Sequence, residues 1–287
     1  MTNPNPKSEI SDLKSETSNL TPEISDRFWL PVASLWFREV VRFYRQPSRV
    51  IGGLASPLLF WLLIGSGLGS SFRHTAGGTD MEYLEYFFPG TLTLILLFTA
   101  IFSTVSIIED RREGFLQAVL VSPISRSGMV LSKILGGTTL AGLQGFLFLL
   151  LLPAAGIRPT LTGIALTAIL ILLAAFAMTA LGFLVAWPME STQGFHSIMN
   201  LFLIPLWLLS GALFPPDGAS TPIRLCMRAN PLSYTIEGLR VTMYWNGSAD
   251  SDPVRTLLIS LAVTTLFGLV TFAASVALAQ HNIRGGK

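Results

Sequence analysis

Six long stretches of this sequence contain no charged residue: 50–72, 87–108, 134–157, 159–189, 191–216 and 256–280. Each exceeds the ~20 apolar residues that cross a hydrocarbon core as a helix. A 287-residue soluble chain could not bury all six, because surface-to-volume scaling leaves too little interior. The stretches therefore predict an all-α integral membrane protein with six spans, at about 50–70, 87–108, 130–153, 160–187, 194–214 and 256–280. Charged residues make up 13% of the chain, against roughly 25% in a soluble domain, and they crowd between the stretches.

The distribution of basic residues predicts the direction of threading. Arg38, Arg42, Arg45 and Arg49 precede the first span, and Arg111, Arg112, Arg126 and Lys133 separate the second from the third. Arg284 and Lys287 follow the last. Threaded in order, all of these fall on one side, so both chain ends are expected in the cytoplasm. The opposite side carries Arg73 against Asp80, Glu82 and Glu85, then Arg158, then a long loop in which Arg224, Arg228, Arg240 and Arg255 are diluted. Residues 1–27 are polar and charged and read as a disordered cytoplasmic tail. They lack the apolar core of a signal peptide. A net charge of +2 is too small to suggest nucleic acid as a partner, and the single cysteine, Cys226, excludes an internal disulfide.

Three segments outside the spans have their own pattern. In 28–46, Arg38, Arg42 and Arg45 cluster on one helical face, opposite Phe37, Val40, Val41 and Tyr44. This reads as an amphipathic helix on the cytoplasmic surface, or as an extension of the first span, and Gln46-Pro47 interrupts it. The run Glu109-Asp110-Arg111-Arg112-Glu113 is the densest charge cluster in the chain. Beyond Gly114, residues Phe115, Leu116, Val119 and Leu120 are apolar at helical spacing until Ser122-Pro123. Taken alone, the segment is equally a solvated loop that fixes topology or a short helix held by a soluble partner. In the long outer loop, Phe214-Pro215-Pro216 stops the fifth span and Asn230-Pro231 starts a helix. Leu232, Ile236, Leu239 and Met243 then share one face of that helix.

Motifs for chemistry are missing. The sequence has no phosphate-cradling G-x-x-x-x-G-K-[ST], no H-E-x-x-H and no G-x-S-x-G. His74, His196 and His281 do not have ligand spacing. No Asp, Glu, Lys or Arg stands inside a stretch, where ion-coupled carriers and proton pumps place them. A charge at a helix centre costs ~2.5–3.5 kcal/mol on insertion scales. Energy for transport is therefore expected from outside the membrane. A membrane-embedded enzyme built around His196 or Glu190 and a non-transport scaffold or sensor are the rival readings.

Two regions carry a family resemblance. Glu109-Asp110-Arg111-Arg112-Glu113-Gly114 through Ser122-Pro123-Ile124-Ser125-Arg126 is similar to the charged E-R-x-x-G-T-L-E…P-[IV]-S-R segment of type-2 ABC exporter permeases. Here Phe115-Leu116-Gln117 replaces Thr-Leu-Glu. Ser210-Gly211-Ala212-Leu213-Phe214-Pro215, then Asn230-Pro231-Leu232-Ser233-Tyr234 and Glu237-Gly238-Leu239-Arg240, resembles that family's S-G-x-x-F-P…N-P-[LF]-x-Y…E-x-x-R region. The resemblance implies a permease without an ATPase site of its own, in the cell inner or plasma membrane. Two such chains, with a homodimer expected, would pair with two ABC ATPase subunits that bind ATP and Mg. It implies a cytoplasmic coupling helix around Glu109, Asp110, Arg111, Arg112, Glu113, Gly114, Phe115 and Leu116. The helix bearing Arg38, Arg42 and Arg45 would share that contact. Extracytoplasmic re-entrant or gate helices would involve Phe214, Pro215, Asn230, Pro231, Tyr234, Glu237 and Arg240. The implied substrates are drugs, lipids or polysaccharides, with membrane lipids as neighbours.

Overall fold

The computed structural model describes residues 28–68, 74–76, 79–81, 83–122, 124–244 and 252–281. The expected tail at 1–27, Pro123, Arg284 and Lys287 lie outside them. The chain forms α1 (Trp29–Tyr44), α2 (Pro47–Leu68), α3 (Tyr83–Ser103), α4 (Val105–Arg112), α5 (Phe115–Val121), α6 (Arg126–Leu149), α7 (Leu161–Ala186), α8 (Thr192–Leu208), α9 (Thr221–Ala229), α10 (Pro231–Met243) and α11 (Pro253–His281). The expected all-α fold holds, and one short antiparallel hairpin, β1 (His74–Ala76) and β2 (Thr79–Met81), lies between α2 and α3.

Helix starts follow local chemistry. Ser125, Thr160 and Ser191 stand in extended backbone just before α6, α7 and α8, and each hydroxyl accepts from the amide three residues on. Asn230 caps α10 by accepting from Leu232 N at 3.0 Å, with Pro231 at the first helical position. Such caps satisfy amides that have no partner within the helix. Pro89 lies inside α3, where it cannot donate to the Glu85 carbonyl. Tyr244 Oη donates to that carbonyl at 2.8 Å, so the residue after α10 repairs the helix that proline interrupts.

Helix α3 is the central post of the bundle, with Phe87, Phe88, Leu92, Ile95 and Leu97 fully buried. Around it pack α2, α6 and α7, and α11 lies against α7 and α10. The α7–α10–α11 seam is built from small and hydroxyl side chains. Thr167 donates to Thr242 at 2.8 Å, Thr235 and Thr264 meet at 3.2 Å, and Ser275 donates to the Ala180 carbonyl at 3.1 Å. This suits helices that associate in lipid, where apolar burial provides no drive and close approach does.

Large apolar side chains remain outside. Leu59 and Leu63 of α2, Leu201 and Phe202 of α8, and Leu258, Leu266 and Val270 of α11 are all exposed. A soluble monomer does not carry apolar surface on this scale. The helical paths Tyr83–Arg112, Leu161–Ala186 and Pro253–His281 are long and apolar enough to cross a membrane, and Ile51–Gly67 is a shorter apolar helix. Helix α8 ends at Leu208, six residues short of the expected end of the fifth span at 214, and residues 209–214 fold back toward α3.

Candidate functional site

At one end of the bundle the charges of three helices converge on a single carboxylate. Asp110, in α4, has no exposed side-chain surface. Arg38 of α1 grips it with both guanidinium nitrogens, at 2.8 and 3.1 Å, and stacks over the Phe115 ring 3.5 Å from its centroid. Arg42, one turn later, donates to Asp110 at 2.7 Å and to Glu109 at 2.9 Å. Lys133 of α6 binds Asp110 from the other side and donates to Glu39 at 2.6 Å. Three cations thus face Asp110, Glu109 and Glu39, and Glu113 reaches Arg42 at 3.6 Å from the exposed side, so opposite charges are nearly balanced. The hydrogen bond to Asp110 raises the pKa of Arg38, against the opposing effect of burial, so the guanidinium stays charged.

Close backbone approach makes this convergence possible. A Cβ on Gly136 would lie 2.7 Å from the Cβ of Glu39, so α1 rests directly on α6. Just past the cluster, Gly114 has φ +77° and turns the chain from α4 into α5. That left-handed conformation is natural for glycine and strained for other residues. Helix α5 buries Leu116 and Val119 against the bundle and exposes Gln117, Ala118 and Val121.

The arginines after Asp110 turn sideways. Arg111 donates to the carbonyls of Trp187 and, at 3.0 Å, Met189, and Arg112 Nε donates to the Glu190 carbonyl at 3.1 Å. These carbonyls follow the C-terminus of α7, where cations are favoured by the helix dipole. Of the eight residues expected to form a coupling segment, Asp110 and Leu116 are buried, and Arg111 and Arg112 are engaged within the chain. Glu113, with 61% of its side chain exposed, stands at the tip. Arg38 and Arg42 join this cluster, whereas Arg45 caps the end of α1 in solvent.

Two members of the cluster were not expected at the site: Glu39, and Lys133, which the sequence marked only as a charge that sets the threading. A signal for Glu39 existed: Val32, Leu35, Glu39 and Arg42 recur at helical spacing on the face α1 turns inward, and a charge at such a position needs a buried partner. His196 is exposed, with its ring 4.8 Å from that of Phe102, and Glu190 is exposed and contributes its carbonyl. Among the described residues no group of three His, Cys, Asp or Glu could hold a metal.

The other end of α3 carries a second polar system. Tyr83 Oη donates to the Leu213 carbonyl at 3.1 Å and Tyr86 Oη to the Gly211 carbonyl at 3.3 Å. Arg240 of α10 also donates to Gly211 O, at 2.7 Å, and lies over the Tyr86 ring. Asn230 Nδ2 donates to the Leu206 and Leu209 carbonyls at 2.6 and 3.0 Å, closing the frayed end of α8. Tyr234 donates to the Arg228 carbonyl at 2.9 Å. The fold therefore brings Asn230, Pro231, Tyr234, Glu237 and Arg240 to one corner. Phe214 stands partly exposed at its edge, beside Pro215.

This two-ended arrangement coincides with a family match. The model of the ABC-2 type transporter family matches residues 32–244, which span both polar ends. The chain belongs to the ABC-2 type transporter family. Among its relatives, "Putative transport permease ycf38" of Cyanophora paradoxa is 27% identical over 205 residues, covering 71% of this chain and 70% of the relative. "Nodulation protein J" of Rhizobium leguminosarum bv. viciae is 25% identical over 264 residues, covering 89% of this chain and 95% of the relative. A "Putative transport permease ycf38" of Porphyra purpurea is 25% identical over 211 residues, covering 73% of this chain and 72% of the relative. Family and apolar helices together make this ABC-2 chain a membrane transport protein.

Proposed function

We propose that the chain is the permease subunit of an ATP-driven exporter, energised by a separate P-loop ATPase that docks on the α4–α5 hairpin. The observation that carries this reading is the ion cluster around Asp110. It clamps α1, α4 and α6 into one unit while leaving Glu113, Gln117, Ala118 and Val121 outward at the hairpin tip. Force applied at such a tip is transmitted to the clamped helices rather than absorbed by a loose loop.

In this reading α2, α3, α6, α7, α8 and α11 are the six spans, with both chain ends in the cytoplasm. Helix α1 lies at the inner membrane surface with Phe37 and Tyr44, both more than half exposed, turned to lipid. Helices α9 and α10 with the 209–216 turn cap the outer mouth. Two permease chains and two ATPases, which bind ATP and Mg, make the working complex. The uncharged spans suit an amphiphilic cargo such as a lipid, a lipid-linked polysaccharide or a drug.

The experiment is co-purification from detergent of the chain and its ATPase, with substitutions at the exposed tip. Glu113→Lys combined with Val121→Asp should cut recovery of the ATPase about tenfold while leaving the melting temperature of the permease unchanged, since neither side chain is packed. Recovery of the ATPase at the wild-type ratio would overturn docking at this hairpin.

A further inference from the structure

A cavity of about 340 Å³ lies between the 209–216 turn, α9 and α10, at the end of the bundle far from Asp110. Its volume falls at the lower end of the ~300–1,000 Å³ of small-molecule sites. Ser233, Glu237 and Arg240 line it at i, i+4 and i+7 of α10, so they share one wall, and Arg224 and Arg228 line it from α9. Three guanidinium groups against one carboxylate make the cavity positive.

Two polar atoms of this lining have no hydrogen-bond partner although buried: the Ser233 hydroxyl, on a residue 8% exposed, and Arg240 Nε. Buried polar groups are ordinarily satisfied, and an orphaned donor on a guanidinium is among the costlier exceptions. Arg240 has no carboxylate within 4 Å among the described residues; its other contacts are the Gly211 carbonyl and the Tyr86 ring. Arg228 is exposed at the rim, and its guanidinium makes no hydrogen bond or ion pair among the described residues. The same cavity thus presents a hydroxyl, a guanidinium edge and an unpaired arginine to one volume.

We propose that this cavity binds a phosphate group, either as a phosphate ester in solution or as the headgroup of an anionic lipid. Phosphate oxygens accept charge-assisted hydrogen bonds from guanidinium and hydroxyl donors, and the geometry supplies both kinds. The volume left around one phosphate accommodates the glycerol of such a headgroup. Binding here does not depend on the ATPase reading: the ATPase could dock elsewhere and the cavity would still take phosphate.

The test uses the full chain in phosphatidylcholine nanodiscs, titrated calorimetrically with glycerol phosphate. Saturable binding is expected, weakening as salt rises. Arg228→Gln should weaken it about tenfold, as loss of one charge-assisted contact does. Ser233→Ala should weaken it in the same direction, and Arg255→Gln, which removes an exposed charge outside the cavity, should leave it unchanged. Nanodiscs containing phosphatidylglycerol separate the two sources. Competition with glycerol phosphate assigns the site to a lipid headgroup, and undiminished titration assigns it to a soluble ester. Because Arg228 is exposed and its guanidinium has no partner among the described residues, its variant keeps the fold and decides the matter. Absence of saturable binding in both kinds of disc, or equal binding by wild type and Arg228→Gln, would overturn the proposal.

Discussion

Asp110 ties three helices together, because its two oxygens, on α4, face Arg38 and Arg42 of α1 and Lys133 of α6. Removing one partner from a buried ion cluster leaves uncompensated charge and costs about 3–5 kcal/mol, whereas an exposed pair is worth about 0–1 kcal/mol. Asp110→Ala should therefore lower the melting temperature of the purified protein sharply. Glu113→Ala, which loses a 3.6 Å contact at an exposed side chain, should leave it within error. Equal melting temperatures for the two variants would show that the cluster is not structural. The arginine stripe at 38 and 42 was legible because a face of like charges stands out in a helix. The acidic run that answers it, Glu109 and Asp110, was legible too, but the Glu39–Lys133 pair that completes the cluster was not, because its partners lie 94 residues apart in sequence. Pairing over that distance is decided by packing, which no local pattern encodes.

At the scale of elements, two glycines separate space from conformation. Gly114 has a positive φ, and a Cβ added there would meet nothing within 4 Å, so Gly114→Ala carries conformational strain alone, about 1–2 kcal/mol. Gly136 has an ordinary helical backbone but no room, and Gly136→Val forces α1 off α6 at about 1–3 kcal/mol of overpacking. The two are distinguished by Lys133 and Glu39, whose bridge spans the α1–α6 contact. Gly136→Val should abolish the stability difference between Glu39 and Glu39→Gln, and Gly114→Ala should preserve it, as measured by a double-mutant cycle in thermal denaturation. Helix existence was legible wherever charge spacing or caps marked it: Asn230-Pro231 and the Leu232, Ile236, Leu239, Met243 stripe became α10 with all four side chains buried. The end of α8 was not legible. The uncharged stretch runs on to Pro216, while the backbone leaves the helix at Leu208 because Tyr83, Tyr86, Asn230 and Arg240 capture the carbonyls that follow or terminate it.

Across the whole molecule, α3 and α4 form one column between the two polar ends. From Tyr86 to Asp110 the helical path advances 24 residues, roughly 36 Å at 1.5 Å per residue, more than the ~30 Å of a hydrocarbon core. The ion cluster and the arginine-lined cavity therefore cannot share one membrane surface when this column spans. The chain provides its own reporter of which end is which, since its single cysteine, Cys226, is exposed on α9 beside the cavity. A membrane-impermeant maleimide added to intact cells should label Cys226 in the wild-type protein. A Cys226→Ser, Val121→Cys variant, which moves the thiol to the hairpin tip, should label only after the membrane is permeabilised. The reverse pattern would place α5 outside, out of reach of any cytoplasmic ATPase, and would remove the proposed docking site with it. Labelling of both thiols in intact cells would mean that the α3–α4 column does not separate two aqueous compartments at all.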